Sequence, residues 1–406
     1  MAMKALVFHD IGDIRLEEIK KPRIEDQYDA LVKVTTSAIC GTDLHFIRGT
    51  MGPMKSGTVL GHEAVGIVEA IGSGVRNLKE GDRVVIPSTI ACGYCVMCRK
   101  GCYSQCDVAN PNGPAAGTAF YGGPKTTGPF NGCQAEYVRV PFANNNLIKL
   151  SDTISDDQAI LVSDIFPTAY FAVDNAQAKQ GDVVVVLGCG PVGQFAIASS
   201  KLRGVSRIFA IDAIPSRLEM ARLQGAECIN FNKEDPVEVI EDLTNGTLAD
   251  VVIDAVGIDA FAPKHGPAAK KARQQQAEFE KELMQLAPNA LSQNEHWVPG
   301  NAPSYALREG VQLAAKCGTI SIVGVYPPNF KVYPIGEAMN KNLKIVMGNC
   351  PHRAYIPQLL ALIEDKRIDP LTVLTQKVDI CNVLDAYEQF DKREAGWIKV
   401  ALHLHE

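Results

Sequence analysis

The sequence predicts an α/β protein of two domains: a β-rich one in two separate pieces and, inserted in it, a doubly wound parallel sheet. Two observations carry this reading. Up to residue 165 the chain is a succession of short strand-like runs, such as residues 5–8 (ALVF) and 30–34 (ALVKV), separated by turn and charged residues. From Gln180 the character changes. Residues 183–187 (VVVVL) form a continuous apolar run of the kind buried on both faces of a parallel sheet, and a glycine-rich turn and a helical stretch follow at once. The βα alternation continues to residue 325. The last part of the chain ends in another strand-like run (residues 396–402, GWIKVAL), which returns to the first domain. The expected boundaries are therefore 1–165 plus 326–406 for the β-rich domain and 166–325 for the inserted one. At 406 residues, two domains is also the natural prior.

Composition narrows the classes of function. The hydrophobic share of 46% and charged share of 21% are those of an ordinary globular protein. The formal net charge is −6 and no lysine or arginine run stands out, which argues against nucleic acid or an anionic membrane as partner. No apolar run reaches the length of a membrane span. The first residues enter strand-like alternation without a signal-peptide layout, so a cytoplasmic protein is expected. Twelve cysteines in a reducing compartment point to metal ligation or core thiols rather than disulfides.

The first chemistry-bearing stretch runs from Cys40 to Gly72. Cys40 and His62 are of the types zinc prefers, and they lie too far apart for a zinc-finger knuckle. Two backbone segments would have to converge on one ion, and a site built that way can keep a position open for substrate. Thr42 and His45 suit a proton relay, a hydroxyl passing a proton to a histidine nearer solvent. Their plainer readings are a turn cap and a surface histidine. Asp43 is a candidate to orient the His62 imidazole, or simply an Asx-turn residue. Further on, Cys92, Cys95 and Cys98 form C-x-x-C-x-x-C, with Cys102 and Cys106 competing to complete a closed tetrahedral, structural zinc shell. Residues 107–132, rich in Gly, Pro and Asn, read as a long loop, from which Tyr121 and Phe130 could face the substrate. Asp164 sits in an apolar run, where a lone carboxylate is expensive to bury without a partner.

In the inserted domain the turn is Gly188-Cys-Gly190-Pro191-Val192-Gly193, G-x-G-x-x-G with a strand before it and a helix after. That context makes it a dinucleotide-binding turn, with the pyrophosphate at the helix N-terminus. Asp212 ends the next strand about twenty residues on. It should take the adenosine ribose hydroxyls and repel a 2′-phosphate, favouring NAD over NADP. Arg217 lies near that pocket or is a plain surface residue. Val256 and Gly257 fall at a strand C-terminus, where such sheets bind ligands.

GHEAVGIVEAIG, preceded by CGTDLH, resembles the zinc signature of the zinc-dependent medium-chain alcohol dehydrogenases, and the resemblance extends over nearly the whole chain. It implies a GroES-like catalytic domain with an inserted Rossmann domain, one catalytic and one structural zinc, and NAD. It assigns Cys40, His62 and Asp164 to the catalytic zinc. Many members carry Cys at the third position; Asp occurs in bacterial secondary-alcohol dehydrogenases and glutathione-independent formaldehyde dehydrogenases. The resemblance makes Thr42 and His45 the relay and Cys106, not Cys102, the fourth structural ligand. Glu63 is expected to enter the catalytic shell when substrate leaves. Thr168, Val256 and Val325 are expected to place the nicotinamide, and Lys399 to reach the pyrophosphate. Ser88 matches a pocket position that is bulkier in some relatives. The expected activity is hydride transfer between a small alcohol or aldehyde hydrate and NAD. An aldehyde dismutase that retains NAD, and a non-catalytic NAD-binding sensor, are the alternatives. A homo-oligomer, dimer or tetramer, follows from the resemblance alone.

Residues 258–301 exceed the ordinary family pattern, as in the formaldehyde dehydrogenase branch. The centre, AAKKARQQQAEFEKELMQL, reads as one amphipathic helix with Phe279, Leu283 and Leu286 on its apolar side. The segment is either a flap that slows NAD release or a surface decoration, with His265 and Trp297 the candidates to touch an adenine. Residues 306–317 would then be the helix, and 319–325 the strand, that resume the sheet. Cys350 and His352 read as structural or cleft-lining.

Overall fold

The computed structural model describes residues 1–113, 116–288 and 297–404. Contacts divide the chain into two units, one of Met1–Pro167, Asn294–Trp297 and Asn349–Glu406, the other of Thr168–Gln293 and Val298–Gly348.

In the first unit a seven-stranded sheet runs in the order Ile148–Lys149, Arg83–Ile86, Ala64–Ile71, Ala30–Ile39, Val400–His403, Gln376–Asp379, with Tyr137–Val140 also paired to Ala30–Ile39. Its register decides what meets at one edge. Ser37 pairs with Ala64, Ile39 with Val400 and Ala64 with Ile86, all antiparallel. The end of one strand and the start of the next two therefore lie side by side. Cys40, His62–Glu63 and Lys399 each sit within two residues of those strand ends, so residues hundreds of positions apart share one edge. Ser163 joins the edge from elsewhere: its Oγ donates to the Ile86 carbonyl (2.5 Å) and accepts from the Ala64 amide (3.2 Å). Its own carbonyl accepts from the Ser88 amide at 3.2 Å. This clamp brings Asp164 to the same place.

The second unit is a six-stranded, all-parallel sheet in the order Glu227–Asn230, Arg207–Asp212, Val183–Leu187, Ala249–Asp254, Ala314–Ile322, Lys344–Met347. Val183–Leu187 is central, which is why it is apolar throughout; Val185, Leu187, Phe209, Ile211, Val252 and Ile320 pack together in the core. The expected return to the first domain at residue 326 is corrected here. Lys344–Met347 pairs with Ala314–Ile322, Ile345 opposite Ile320, so the sheet claims the chain through Gly348. The resuming helix is Tyr305–Leu313 and its strand starts at Ala314, earlier than expected, because Ala314 already pairs with Ala249.

The extra segment forms two helices, Ala268–Gln274 and Gln276–Leu286, broken at Gln275, rather than one. Phe279, Leu283 and Leu286 are buried as the periodicity requires. The pair stacks on the first turns of two helices of its own unit. Lys271 Nζ reaches Asp235 Oδ2 (2.7 Å) ahead of Pro236–Leu243. Glu282 takes Ser304 Oγ (2.9 Å), and Glu278 takes Arg308 (2.8 Å), at Tyr305–Leu313. Residues 289–296 lie outside the described residues. Trp297 belongs to the first unit, its ring 6.4 Å from that of Tyr387 and its amide donating to Asp391 (3.1 Å).

Candidate metal centres and dinucleotide site

At the shared strand edge, Asp164 Oδ2 lies 3.2 Å from His62 Nε2 and 3.6 Å from Cys40 Sγ. A tetrahedral zinc with bonds of about 2.0–2.3 Å sets its ligand atoms about 3.3–3.8 Å apart. Both distances from Asp164 Oδ2 match the edges of such a shell, and all the donor atoms lie within 4.8 Å of one another, so the residues fit the ion. Asp43 Oδ1 lies 3.1 Å from His62 Nδ1, as an ion-pair contact, and both atoms are buried without a partner in hydrogen-bond geometry. That places the carboxylate behind the imidazole, with Nε2 turned to the cluster. Charge points the same way: the carboxyl groups of Asp43, Glu63 and Asp164 are all buried here beside the Cys40 thiol, with Lys399 on Glu63. Such a cluster is expensive to bury unless a cation completes it.

Lys399 is the clearest correction. It was expected at the cofactor pyrophosphate, but it is fully buried. Its Nζ lies 2.6 and 2.7 Å from the two Glu63 oxygens and 3.1 Å from the Ile39 carbonyl. Those three acceptors use all three ammonium protons. The cause is register: Val400 pairs with Ile39, which turns the preceding residue into the strand-end cluster. Glu63 is thus held by Lys399, with Oε1 3.9 Å from His62 Nε2. Burial pushes its carboxyl up to about 7, with the Lys399 ammonium opposing the rise.

Thr42 and His45 share the helix Gly41–Ile47 that begins directly after Cys40. Thr42 is half-buried. His45 is not the solvent-facing histidine expected: it is buried, with Nδ1 2.9 Å from Thr50 Oγ1. Tyr121 is also fully buried, and it is Phe120 that stands against the His62 ring, centroids 4.6 Å apart. Phe120 pairs with Thr89 in a short antiparallel ladder that ends there, and Tyr121 lies in the turn that follows.

Asp164 has a second set of partners that sequence reasoning missed. Its Oδ1 is 3.0 Å from Ser88 Oγ and 2.7 Å from His352 Nε2. Thr89 Oγ1 lies 3.1 Å from His352 Nδ1. Burial raises the Asp164 carboxyl, but hydrogen bonds from His352 and His62 outweigh it and hold the group well below its ordinary range. His352 stands 188 positions from Asp164, and no local spacing could have linked them.

The cysteine lobe closes as a second group; among the described residues, two clusters of metal-ligating side chains have their donor atoms within 4.8 Å of one another. Cys92 and Cys98 Sγ are 3.9 Å apart, Cys95 and Cys106 Sγ 3.8 Å, the edge of a tetrahedron with bonds near 2.3 Å. Backbone amides of Cys92, Cys95, Cys98 and Ala109 point at these sulfurs (3.2–3.4 Å). Cys102 is exposed and outside the group.

In the second unit the G-x-G-x-x-G turn joins Val183–Leu187 to the helix Pro191–Leu202, with Gly190 as N-cap and Pro191 opening the first turn. Gly188 has φ 82°, and a Cβ on Gly193 would collide with the Gly188 carbonyl oxygen. Only a bare backbone fits there, at the first turn of the helix. Asp212 Oδ2 accepts from the Cys189 amide (2.8 Å), and Oδ1 from those of Ala213 (2.7 Å) and Ile214 (2.9 Å). The Arg217 guanidinium stands beside the turn, 3.7 Å from where a Gly190 Cβ would sit. The Ile258 amide donates to the Val325 carbonyl (3.0 Å), which brings Val256 and Val325 to one sheet edge. Thr168 lies in the helix Ile165–Asn175, half-buried. The amide of His265, the other adenine candidate, faces Asn232 Oδ1 at 3.5 Å, two residues past the strand Glu227–Asn230.

Comparison with known proteins points in one direction. The family model for the alcohol dehydrogenase GroES-like domain matches residues 26–152, and that for the zinc-binding dehydrogenase matches residues 191–265. The zinc-type alcohol dehydrogenase-like protein AdhB of Bacillus subtilis is 38% identical over 404 residues, 98% of this chain and 100% of that one. A glutathione-independent formaldehyde dehydrogenase of Pseudomonas aeruginosa is 31% identical over 407 residues, covering 97% and 95%. Among solved structures, the alcohol dehydrogenase TADH from Thermus sp. ATN1 superposes with a TM-score of 0.80 at 34% identity, covering 99% of this chain and 100% of that one.

Proposed function

Because the chain belongs to the zinc-dependent medium-chain alcohol dehydrogenases, and so is a zinc- and nicotinamide-dependent oxidoreductase of alcohols or aldehydes, we propose that its reaction runs at Cys40, His62 and Asp164. The observation that carries this is the spacing of the three donor atoms, 3.2 and 3.6 Å from Asp164 Oδ2. When bound there, zinc would lower the pKa of the substrate oxygen as a Lewis acid, and NAD would accept the hydride. Cys40 and Asp164 bring two negative charges and His62 none, so a divalent ion is formally neutralised. Thr42 takes the substrate proton and His45, its ring held by Thr50, carries it onward. Glu63 stays on Lys399 while substrate is present. Phe120 keeps the His62 side of the site apolar and excludes water there. Cys92, Cys95, Cys98 and Cys106 hold the structural zinc.

The second unit holds the dinucleotide on Gly188, Gly190 and Gly193, with the pyrophosphate at Pro191–Leu202 and Thr168, Val256 and Val325 placing the nicotinamide. Asp212 takes the ribose hydroxyls and repels a 2′-phosphate, so NAD is preferred to NADP; Arg217 borders that pocket. A likeness to a formaldehyde dehydrogenase over most of both chains supports a small alcohol or aldehyde hydrate as substrate. Asp164→Ala is the test. Turnover and one zinc per chain should be lost while NADH binding, read by its fluorescence, persists; full activity in that variant would remove Asp164 from the mechanism. NAD released per chain on denaturation tests the dismutase alternative: near-stoichiometric release favours it, and little release favours free exchange.

No described helix is long and apolar enough to cross a membrane. All twelve cysteines are free, which supports a cytoplasmic setting; thiol titration under non-reducing conditions would count against it by finding disulfides. A homo-oligomer is supported by the edge strand Lys344–Met347, where Met347 is exposed together with Ile335 and Met339 of the neighbouring helix. Light scattering tests it, and a monomer at micromolar concentration would refute it.

A further inference from the structure

The two oxygens of Asp164 have divided loyalties. Oδ2 faces His62 Nε2 and Cys40 Sγ at 3.2 and 3.6 Å. Oδ1 faces Ser88 Oγ and His352 Nε2 at 3.0 and 2.7 Å. The donor directions are mutually consistent. The ionised Asp164 carboxylate only accepts, so the hydrogen on His352 Nε2 faces Oδ1, while Thr89 Oγ1 lies 3.1 Å from Nδ1 and Ser88 Oγ 3.3 and 3.2 Å from Nδ1 and Nε2. Ser88, Thr89 and His352 are all buried. They are carried on fixed elements, the two hydroxyls at the strand Thr89–Ile90 and the imidazole at the first turn of the helix His352–Glu364.

We propose that His352, acting with Ser88, is a positioning residue for Asp164: it occupies one carboxylate oxygen, so that the aspartate offers a bound ion the other oxygen alone. This rests on the zinc reading above. A carboxylate is able to bind an ion through both oxygens. If Asp164 did so, its second oxygen would take the corner that a catalytic zinc keeps open for substrate. A cysteine at this position has one donor atom and needs no such restraint; an aspartate does. The restraint therefore belongs to the choice of ligand in this chain, and Ser88 acts on the carboxylate rather than merely making room in a pocket.

The test uses the full-length enzyme with cobalt(II) exchanged into the catalytic site, whose visible absorption is intense for four-coordinate ions and weak for five-coordinate ones. Compared with the parent, His352→Phe is expected to lose band intensity and to release the ion to a chelator about 10–100-fold faster, the usual effect of removing a group that orients a ligand. His352→Gln, which keeps a donor to Oδ1, should recover most of both. A His352→Phe protein with the parent's spectrum and release rate overturns the proposal. Should that variant fail to fold, Ser88→Ala removes the other Oδ1 donor without a change of packing volume; it should shift the spectrum in the same sense, and an unchanged spectrum overturns the proposal equally. Asp164→Ala separates this inference from the one beneath it. If Asp164→Ala keeps the parent's cobalt spectrum, Asp164 is no ligand and the zinc reading itself fails. If Asp164→Ala loses the site while His352→Phe behaves as the parent, only the positioning role fails.

Discussion

Replacing Lys399 with Met tests the assignment in which expectation and structure differ most. The Lys399 ammonium and the Glu63 carboxylate are both fully buried, 2.6 and 2.7 Å apart through the two oxygens. Met matches the aliphatic stem in length and leaves the carboxylate without its counter-ion. Breaking a buried pair from one side costs about 3–5 kcal/mol, because the remaining charge has lost both water and partner. With a urea m-value of about 2 kcal/mol/M, that is a fall of roughly 1.5–2.5 M in the unfolding midpoint. The assay is specific to the right unit, since the two tryptophans of the chain, Trp297 and Trp397, both lie in the first one, and their fluorescence reports its unfolding alone. Glu63→Gln and the double variant complete a cycle, in which the double variant should regain at least about 2 kcal/mol over the sum of the singles. NADH affinity should be unchanged in Lys399→Met. A midpoint within about 0.5 M of the parent, with additive singles, would refute the buried pair, and a large loss of NADH affinity would return Lys399 to the cofactor.

Three further outcomes are expected. Cys98→Ser should lose one zinc per chain by elemental analysis, whereas Cys102→Ser should keep both; equal zinc in the two variants would contradict the ligand set. Gly193→Ala places a methyl group against the Gly188 carbonyl and should weaken NADH binding at least about 100-fold, roughly 3 kcal/mol; retained affinity would mean the turn does not seat the pyrophosphate. Glu309 is buried, which pushes its carboxyl up to about 8, with the Tyr305 hydroxyl (3.2 Å) acting in the lowering direction. Its folded pKa lies above its unfolded one, so its contribution is complete below about pH 4.5 and is lost as pH rises through about 8, a change on the order of a few kcal/mol. Glu309→Gln should flatten that slope, read by hydrogen exchange in the helix Tyr305–Leu313, and an unaltered slope would refute it.

Much of this protein was legible because the signals are local. An apolar run of five residues and three glycines at fixed spacing describe a strand and a bare turn without reference to anything distant. The four-cysteine lobe is equally local, since its sulfurs lie within one short loop, although choosing Cys106 over Cys102 required the family resemblance. Phe279, Leu283 and Leu286 were identified by helical period, but the break at Gln275 was not, because it depends on which helices the segment packs upon.

The sequence by itself determined the class of the protein, the residue types of its two clusters of metal-ligating side chains and its glycine turn, since each depends on residue type and short spacing. Tertiary structure alone decided what surrounds them. Antiparallel register brought Lys399 to Glu63, and a parallel pairing kept Lys344–Met347 in the second unit. The short ladder with Thr89–Ile90 set Phe120, not Tyr121, beside His62. Ser163 reached the strand edge at Ala64, and His352 reached Asp164, from positions that no motif connects. The physical reason is common to all of these. A ligand type is a property of one side chain, whereas the hydrogen bonds that aim it, and the charge that balances it, come from whichever strand ends the sheet happens to align.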